Sequence, residues 1–536
     1  MTTIDHGPIG LPAANVSYRT CPFTGRRIER NAELLIRANA VAAVVFLAVG
    51  GLFGLLVALT RWPAVQLLPA EWFYLVLTGH GANVLLFWII FFEIAVLYFA
   101  ATFLLNCRLA TPRFAWLAFV LMVVGGVLAN YVVLQGDSTV MFTSYPPMMA
   151  DPLFYLSLIL FAVGALIGVM VFFGTLVVAR AEGTYEGSVP LVTFGAVTAA
   201  IIAVFTLASG AIILIPTWLW SMGLIAGIDS LMYKLVWWGM GHSSQQINVA
   251  AHIAIWYAIA AMVVGAKPLS EKVSRFAFLM YVLFLQLASA HHLLAEPGMS
   301  STWKIVNTSY MMYLAVMGSM LHGLTVPGAI EAAQRRNGFD RGYFDWLTKA
   351  PWGNPAFAGM FMSLVMFGFI GGISGVILGT EQLNVLMHNT IYVPGHFHGT
   401  VVAGISLFMM GAGTLGVPRR HWDISLIDSI IPYEFASGAY LMMGLNGLSA
   451  IVAAAGGLLY VVLVVASVVA GPRLDRPGAT LTFPLHKGGA EAVSHYGSAG
   501  TLKIPGTIIL VAIFFGAFIL YYFINWKYLS ALWLFN

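Results

Sequence analysis

Long apolar runs constrain this chain more than any other feature of its sequence. A transmembrane helix needs roughly 20 mainly apolar residues, and a backbone in hydrocarbon must satisfy its own hydrogen bonds. Only 9% of the residues are charged and 60% are hydrophobic, whereas soluble proteins carry roughly 25% charged residues. We therefore predict an all-α, polytopic membrane protein with about 12 transmembrane helices. The predicted spans are 39–60, 74–105, 114–135, 152–179, 190–216, 232–265, 274–292, 305–328, 356–378, 391–416, 434–470 and 504–526.

Charged residues predict how these spans are oriented. Arginine and lysine collect in alternate connections, which places the N-terminus and every second loop in the cytoplasm by the positive-inside rule. The net charge of +4 is small and divided among loops, so it gives no indication of nucleic-acid binding. No removable signal peptide is evident, and we expect a multi-pass protein of the cell inner (cytoplasmic) membrane. The predicted segments are a cytoplasmic N-terminal segment 1–38, a transmembrane core 39–470, a polar loop 471–503 and a C-terminal transmembrane helix 504–536.

Six histidines lie within these otherwise apolar runs. A buried imidazole in a membrane needs a partner, and a set of them on separate spans is typical of metal and haem ligands. The two cysteines, Cys21 and Cys107, exclude a disulfide framework and a cysteine-ligated cluster. The six histidines are His80, His242, His291, His292, His396 and His398.

The doublet His291-His292 comes just before a Glu-Pro-Gly that ends a helix. Adjacent side chains on an α-helix point about 100° apart, so both reach one ion only where the helix ends or is distorted. His242 offers a third nitrogen from another span, and three imidazoles suit copper, iron or zinc. A pair of interfacial polar residues is the alternative interpretation.

His396 and His398 share a helix but point about 200° apart. One helix can therefore ligate two different groups, and a haem on each side follows, with His80 available as the second axial ligand of one of them. Small residues around these histidines would leave room for a flat macrocycle, although close helix packing predicts the same residues. They are Gly79, Gly81, Gly395 and Gly399.

Together these motifs resemble subunit I of the haem-copper oxidoreductase superfamily, most closely the B-type oxygen reductases, from about residue 40 to about 420. The motifs are His80, Gly241-His242, His291-His292 followed by Ala-Glu-Pro-Gly-Met-Ser-Ser-Thr-Trp-Lys, and His388-Asn-Thr-Ile-Tyr-Val-Pro-Gly-His396-Phe-His398. The resemblance implies that His80 and His398 bind a low-spin haem and that His396 is the proximal ligand of a high-spin haem. It also implies that His242, His291 and His292 hold a second metal facing that haem.

The same resemblance suggests which residues surround the haem edges. His388 would lie near the haem propionates, and Trp237 and Trp238 would line the outer edge of the centre, although paired tryptophans are equally good interfacial anchors. Arg419 and Arg420 look like the arginine pair that the family uses to hold propionates. They follow His398 by only about one helix length, where the family usually has room for two crossings.

The main departure from the B-type pattern is at position 246. Those enzymes place a tyrosine four residues after the first metal histidine and cross-link it to that histidine, whereas this chain has Gln246. Another oxidase class places the tyrosine on the next helix, where Leu285 stands here. Tyr281 lies ten positions before His291, roughly 15 Å along a helix. A centre without this tyrosine can still couple two small molecules when no O–O bond has to be cleaved. We therefore expect a nitric oxide reductase of denitrification, converting 2 NO, 2 H+ and 2 electrons to N2O and water. A terminal oxygen reductase of the respiratory chain is the alternative.

The expected cofactors are two haems, a low-spin b type and a high-spin b or a type, with one non-haem metal. No glutamate occurs between His242 and Glu271, so copper on three imidazoles is preferred over iron. Gln246 would contact a bound intermediate or only support a ligand histidine. The chain has no Cys-x-x-Cys-His motif, so electrons are expected from a membrane-anchored cytochrome c or cupredoxin subunit, or from a quinol.

Proton supply is less clearly indicated. The resemblance suggests hydroxyl groups on the sixth and eighth helices, and the polar candidates are Tyr257, Thr308, Tyr313 and Ser319. Glu93, His252 and His322 are intramembrane ionisable residues without a ligand role. Such residues are functional candidates by default, although hydrogen bonding between packed helices is the better explanation for the histidines.

Overall fold

The computed structural model describes residues 16–285, 288–388, 390–402, 437–470, 485–495, 497–499 and 503–530. Apart from one short hairpin, the regular elements of this part of the chain are helices. The principal helices are α1 (Arg30–Arg61), α2 (Ala70–Phe103), α3 (Pro112–Gln135), α4 (Pro152–Ala181), α5 (Leu191–Ser221), α6 (Ser230–Val264), α7 (Glu271–Met280), α8 (Ser301–Arg336), α9 (Pro355–Leu378), α10 (Tyr392–Phe397), α11 (Ser437–Ala470) and α12 (Pro505–Ser530).

The prediction of an all-α, polytopic membrane protein is confirmed. Among the described residues, ten helices are long and apolar enough to cross a membrane. The other two, α7 and α10, belong to the predicted spans 274–292 and 391–416, which are described only in part. The chain is therefore a multi-pass membrane protein.

The boundary that differs most from the predicted one on the N-terminal side is the start of α1. Helix α1 begins at Arg30 and not at 39, because the Glu29 carboxylate caps it by accepting hydrogen bonds from the backbone N–H groups of Asn31 and Ala32. Before it, β1 (Tyr18–Thr20) and β2 (Arg27–Glu29) pair as an antiparallel hairpin. Strands of three residues are too short to show an alternating pattern in the sequence.

The C-terminal third differs in a similar way. The run 434–470 is too long for one crossing and short for two, and its described part, Ser437–Ala470, forms the single helix α11 of 34 residues. The predicted polar loop 471–503 contains the short helix Gly489–Ser494, which packs against α6. The backbone N–H of His486 donates to the carbonyl of Met262 at 2.9 Å, which fixes this segment at the cytoplasmic end of α6.

Helix α6 lies at the centre of the bundle. In its most apolar stretch 72% of the residues are buried, against none in the corresponding stretch of α11. It begins at the Asp229 cap and ends at Gly265, which has a left-handed φ of 70°. Because α6 packs against α5, α8 and α9, its polar side chains face protein and not lipid.

Single turns of π-helix accompany the histidines. Such turns lie at Asn83–Phe87, just after His80, at Tyr281–Leu285, before the His291-His292 doublet, and at His398–Val402. A π turn rotates the following residues relative to a regular α-helix and is often found at functional sites. The bundle therefore departs from regular helical geometry where these histidines enter it.

Candidate active site

Helix α6 and the turn after α7 bring three histidines together. His242 comes from α6, while His291 and His292 lie in the 3-10 turn Ala290–Leu293. One ring nitrogen from each lies within 4.8 Å of the other two. The turn breaks the helix at the doublet, the local distortion that two adjacent histidines need in order to reach one ion.

This cluster fits a metal ion with nitrogen ligands. His242 Nδ1 lies 3.0 Å from His292 Nε2, close to the roughly 3 Å between two nitrogens that share one ion at metal–nitrogen distances of about 2 Å. The buried Nδ1 of His291 has no hydrogen bond of good geometry within the described residues. Neutral imidazoles favour copper, zinc or iron over magnesium or calcium.

Two tryptophans support the cluster from one side. The Trp238 ring stacks on His292 with centroids 3.8 Å apart and an interplanar angle of 5°. Its indole Nε1–H donates to the Tyr145 hydroxyl at 2.6 Å, and Trp237 packs against Trp238 at 4.9 Å. These contacts hold the His292 ring in one orientation.

Gln246 contacts the cluster directly. Its amide nitrogen lies 3.2 Å from His242 Nε2, one helical turn along α6. His242 Nδ1 faces the other histidines; a neutral imidazole carries its proton on only one nitrogen, so binding of a metal by Nδ1 places that proton on Nε2, where it faces the Gln246 amide. This contact agrees with the interpretation in which Gln246 supports a ligand histidine.

His80 and His398 face each other across the bundle. Their rings are nearly parallel, at 9°, with centroids 6.1 Å apart, close to the roughly 6 Å expected when two imidazoles bind one ion from opposite sides at about 2 Å each. His80 Nδ1 donates to the Gly50 carbonyl at 2.8 Å and His398 Nδ1 to the Pro394 carbonyl at 2.7 Å. A carbonyl only accepts, so each Nε2 keeps its lone pair for a metal.

His396 points to a different neighbour. Its Nδ1 lies 3.0 Å from the Ser374 hydroxyl on α9, and that hydroxyl donates to the carbonyl of Ile370. Nδ1 is therefore the donor, and Nε2 is again left free. His396 is within electrostatic range of His242, His291 and His292, so it belongs to the side of α10 that faces the three-histidine cluster.

Glycines leave space beside two of these rings. A Cβ at Gly54 would lie 2.7 Å from His80 Cε1, and one at Gly375 would lie 2.9 Å from His396 Cε1. Both distances are too short for a real contact. The glycines thus keep room at these rings, and the residues present fit two haems in addition to the metal.

Charged residues cluster at the outer side of the centre. Lys234 pairs with Glu296 at 2.7 Å, and His388 Nε2 lies 4.0 Å from the other oxygen of Glu296. Lys304 donates to the Leu294 carbonyl at 2.6 Å and lies 3.3 Å from Glu381. The predicted propionate residue His388 thus lies next to the Lys234–Glu296 ion pair, whereas Arg419 and Arg420 lie outside the described residues.

A buried polar cluster around Tyr257 is more extensive than the sequence indicated. The Tyr257 hydroxyl lies 2.9 Å from Ser274 Oγ, 2.7 Å from Thr325 Oγ1 and 3.1 Å from His322 Nδ1. Tyr281 and Ser319 share a further hydrogen bond of 2.9 Å. The sequence did not predict Ser274 and Thr325 as members of this cluster. The cluster is assembled from three different helices, so its residues have no regular spacing along the chain. His252 bonds Ser363 at 2.6 Å, away from this cluster.

Comparison with known proteins identifies the family. Residues 35–425 match the family described as "Cytochrome C and Quinol oxidase polypeptide I". This chain belongs to the haem-copper oxidase subunit I family. The chain is 32% identical over 386 residues to cytochrome c oxidase subunit 1 of Thermus thermophilus, covering 69% of this chain and 67% of that protein.

More distant relatives of this haem-copper oxidase subunit agree with the assignment. Quinol oxidase subunit 1 of Bacillus subtilis is 22% identical, over 70% of this chain and 57% of that protein. A structure described as a heme-copper terminal oxidase dimer has a TM-score of 0.77 at 21% identity and covers 92% of both chains; at that identity it supports the fold alone. The resemblance stated from the motifs is confirmed, and the chain is a membrane oxidoreductase subunit.

Proposed function

We propose that this chain is the catalytic subunit of a nitric oxide reductase, in which 2 NO, 2 H+ and 2 electrons give N2O and H2O. The observation that carries the proposal is the Gln246 amide 3.2 Å from His242 Nε2. In B-type oxygen reductases this position has a tyrosine that supplies an electron and a proton to split O2. An amide has no accessible redox chemistry, and coupling two NO molecules does not require cleavage of an O–O bond.

Reduction of O2 to water is the second candidate, and the comparisons favour it. The relatives reported above are named cytochrome c oxidase and quinol oxidase subunits, and none of those names mentions nitric oxide. By relatives' names alone, oxygen reduction is the better supported activity. Position 246 is therefore the one feature on which our preference for nitric oxide depends.

The residues divide into groups with different roles in either reaction. We assign His80 and His398 to a low-spin haem, His396 to a high-spin haem and His242, His291 and His292 to a non-haem metal, with copper preferred over iron. When bound, these groups supply electrons and hold the gas. Trp238 keeps the His292 ring oriented by stacking on it. Gln246 orients the His242 ring through the contact of its amide with Nε2.

Protons and electrons must reach the centre from elsewhere. The Tyr257 cluster, on the cytoplasmic side of α6, α7 and α8, offers a series of hydroxyl groups for proton supply. Electrons come from a partner, which we propose to be a membrane-anchored cytochrome c or cupredoxin subunit, or a quinol. The ion pairs of Lys234 and Lys304 lie at the outer face, where such a subunit would dock.

Gas analysis of the purified chain tests the proposal. The protein, reduced by an artificial donor without O2, is supplied with 15N-labelled NO, and the headspace is analysed by mass spectrometry. We expect one doubly labelled N2O for every two NO consumed. Failure of protein with intact haem spectra to form N2O would exclude nitric oxide reduction and leave oxygen reduction.

A further inference from the structure

A buried carboxyl group lies beside α6 without belonging to any ligand set. Glu93, on α2, is 8% exposed, and it is well past His80 toward the cytoplasmic end of that helix. Within the described part of the chain it makes no ion pair with a lysine, arginine or histidine. A carboxyl group in such surroundings is costly to keep and is a functional candidate by default.

The partner of Glu93 is Asn248 on α6. Glu93 Oε1 lies 2.6 Å from an amide atom of Asn248. Either the amide nitrogen donates to a carboxylate, or a protonated carboxyl donates its O–H to the amide oxygen. In the first arrangement the amide nitrogen would also donate to the Ser244 carbonyl at 3.3 Å, and in both arrangements Glu93 is hydrogen-bonded to α6.

The second arrangement leaves the amide oxygen 3.3 Å from the Ser244 carbonyl and gives the amide nitrogen a partner of its own. With the oxygen of Asn248 toward Glu93, its Nδ2–H donates to Gln245 Oε1 at 3.3 Å. Gln245 is three residues after His242 and next to Gln246, on neighbouring positions of the α6 surface. A polar series therefore leads from Glu93 through Asn248 and Gln245 toward the three-histidine cluster.

A cavity and a buried hydroxyl lie near Glu93. Glu93 and Thr206 are the polar side chains that line a cavity of about 40 Å³ between α2, α4, α5 and α6, whose other walls are apolar; the volume exceeds the roughly 10–15 Å³ that one water molecule needs, and these two side chains are the partners it would have. The Tyr98 hydroxyl, one turn closer to the cytoplasm, is fully buried without a hydrogen-bond partner in the described part of the chain. The hydroxyl lies beside Gly168 of α4. In the sequence, Gly168 stands between Ala165 and Val169, two residues that line the cavity.

We propose that Glu93 is a proton-holding residue on a second proton route, distinct from the Tyr257 cluster. This route runs from Tyr98 through the cavity to Glu93. From Glu93 it continues along Asn248 and Gln245 to the centre. The Glu93 O–H bond breaks as its proton passes to water, which Asn248 and Gln245 would orient by hydrogen bonds, and the O–H bond that forms at the end of the route is on the oxygen that leaves as H2O. The carboxylate regains a proton from the cytoplasmic side by way of water and the Tyr98 hydroxyl, and no electron moves. The inference rests on the proposed proton-consuming reduction and holds whichever gas is reduced.

Infrared spectroscopy detects the proton directly. Light-induced release of CO from the reduced, CO-bound protein should give a carboxylic acid carbonyl band that shifts to lower frequency in D2O. Glu93→Gln, which keeps the shape and an amide hydrogen bond, should lose the band. Glu71→Gln, at the exposed outer end of the same helix, should keep it. A wild-type spectrum from which Glu93→Gln removes no band would overturn the proposal.

Proton uptake during turnover is the second measurement, made with a pH-indicator dye. Glu93→Gln should slow it at least tenfold with unchanged haem spectra, and Glu93→Asp should recover part of the rate. Uptake at the wild-type rate in Glu93→Gln would overturn the proposal. If Glu93→Gln does not assemble, Tyr98→Phe replaces it, with slowed uptake supporting the route and a wild-type rate contradicting it. Wild-type protein that turns over neither gas would refute the proposed function, and the infrared band would still decide the state of Glu93.

Discussion

Two histidines separated by one residue contact different parts of the molecule. His398 faces His80 of α2, with centroids 6.1 Å apart, whereas His396 bonds Ser374 of α9. Their opposed directions follow from helical geometry alone. The different contacts of His396 and His398 are the basis for the first prediction.

Single substitutions of these histidines should therefore have different spectral effects. His398→Ala or His80→Ala should abolish the six-coordinate low-spin haem signal and leave a haem that binds CO. His396→Ala should remove the CO-binding haem instead. Visible spectra of the reduced and the CO-bound proteins measure both effects, and identical spectra for His396→Ala and His398→Ala would refute the assignment.

Gln246 is the second residue with a specific expectation. Gln246→Leu keeps the bulk but removes the hydrogen bond to His242 Nε2, and loss of a partner that orients a ligand typically costs roughly 10- to 100-fold in activity. NO turnover should fall by that factor. Ser244→Ala is a matched control on the same helix, because the Ser244 hydroxyl only donates back to the Gly241 carbonyl. Unchanged turnover in Gln246→Leu would show that the amide only fills space.

At the scale of elements, the site depends on how helices approach one another. Helix α1 packs against α2 so closely that the ring of His80 lies over the glycines of α1. The turn Ala290–Leu293 brings its two histidines to α6. The first contact can be tested by substituting a glycine that binds no cofactor. The second can be tested by substituting the three histidines themselves.

Gly54→Ala should disturb the low-spin haem site. Its Cβ would lie 2.7 Å from His80 Cε1 and 2.8 Å from Nδ1, so the ring must move and its hydrogen bond to Gly50 weakens. We expect a reduced low-spin haem signal. Gly51→Ala, one turn earlier on the same helix with nothing within 4 Å of its Cβ, should leave the spectrum unchanged. Equal spectra for the two variants would contradict the close approach.

The junction of α6 and the turn Ala290–Leu293 should control metal content. Elemental analysis should find one non-haem metal for every two haems, and His242→Ala, His291→Ala or His292→Ala should lose it. His252→Gln, a histidine on the same helix that bonds Ser363, should retain it. Stoichiometric iron in place of copper would correct the metal, and full activity without such a metal would refute the centre.

Much of the bundle could be predicted from the sequence, for physical reasons that also explain the exceptions. Apolar runs of membrane length predict spans, and the rotation between His396 and His398 predicts two partners. The Glu29 cap and the short strands before α1 depend on local hydrogen bonds that hydropathy does not reveal. Asn248 beside Glu93, and Ser274 with Thr325 beside Tyr257, are contacts between separate helices, which a single sequence does not encode as spacing.

At the scale of the whole molecule, the bundle has the fold of the haem-copper oxidase subunits, and we propose that position 246 decides which gas it reduces. The ten membrane-length helices in the described part of the chain set the arrangement of the histidines. Relatives that are 22–32% identical are named as oxidases. The shared fold therefore does not distinguish NO from O2 as the substrate. Only the side chains of the centre can do so.

The central claim is that a site with Gln246 reduces NO in preference to O2. The most direct test measures, in one wild-type preparation with one electron donor, the maximal rates of N2O formation from NO and of O2 consumption. We predict that the NO rate exceeds the O2 rate and that any O2 reduction releases partly reduced products. Rapid reduction of O2 to water, with no detectable N2O formed from NO, would contradict the account.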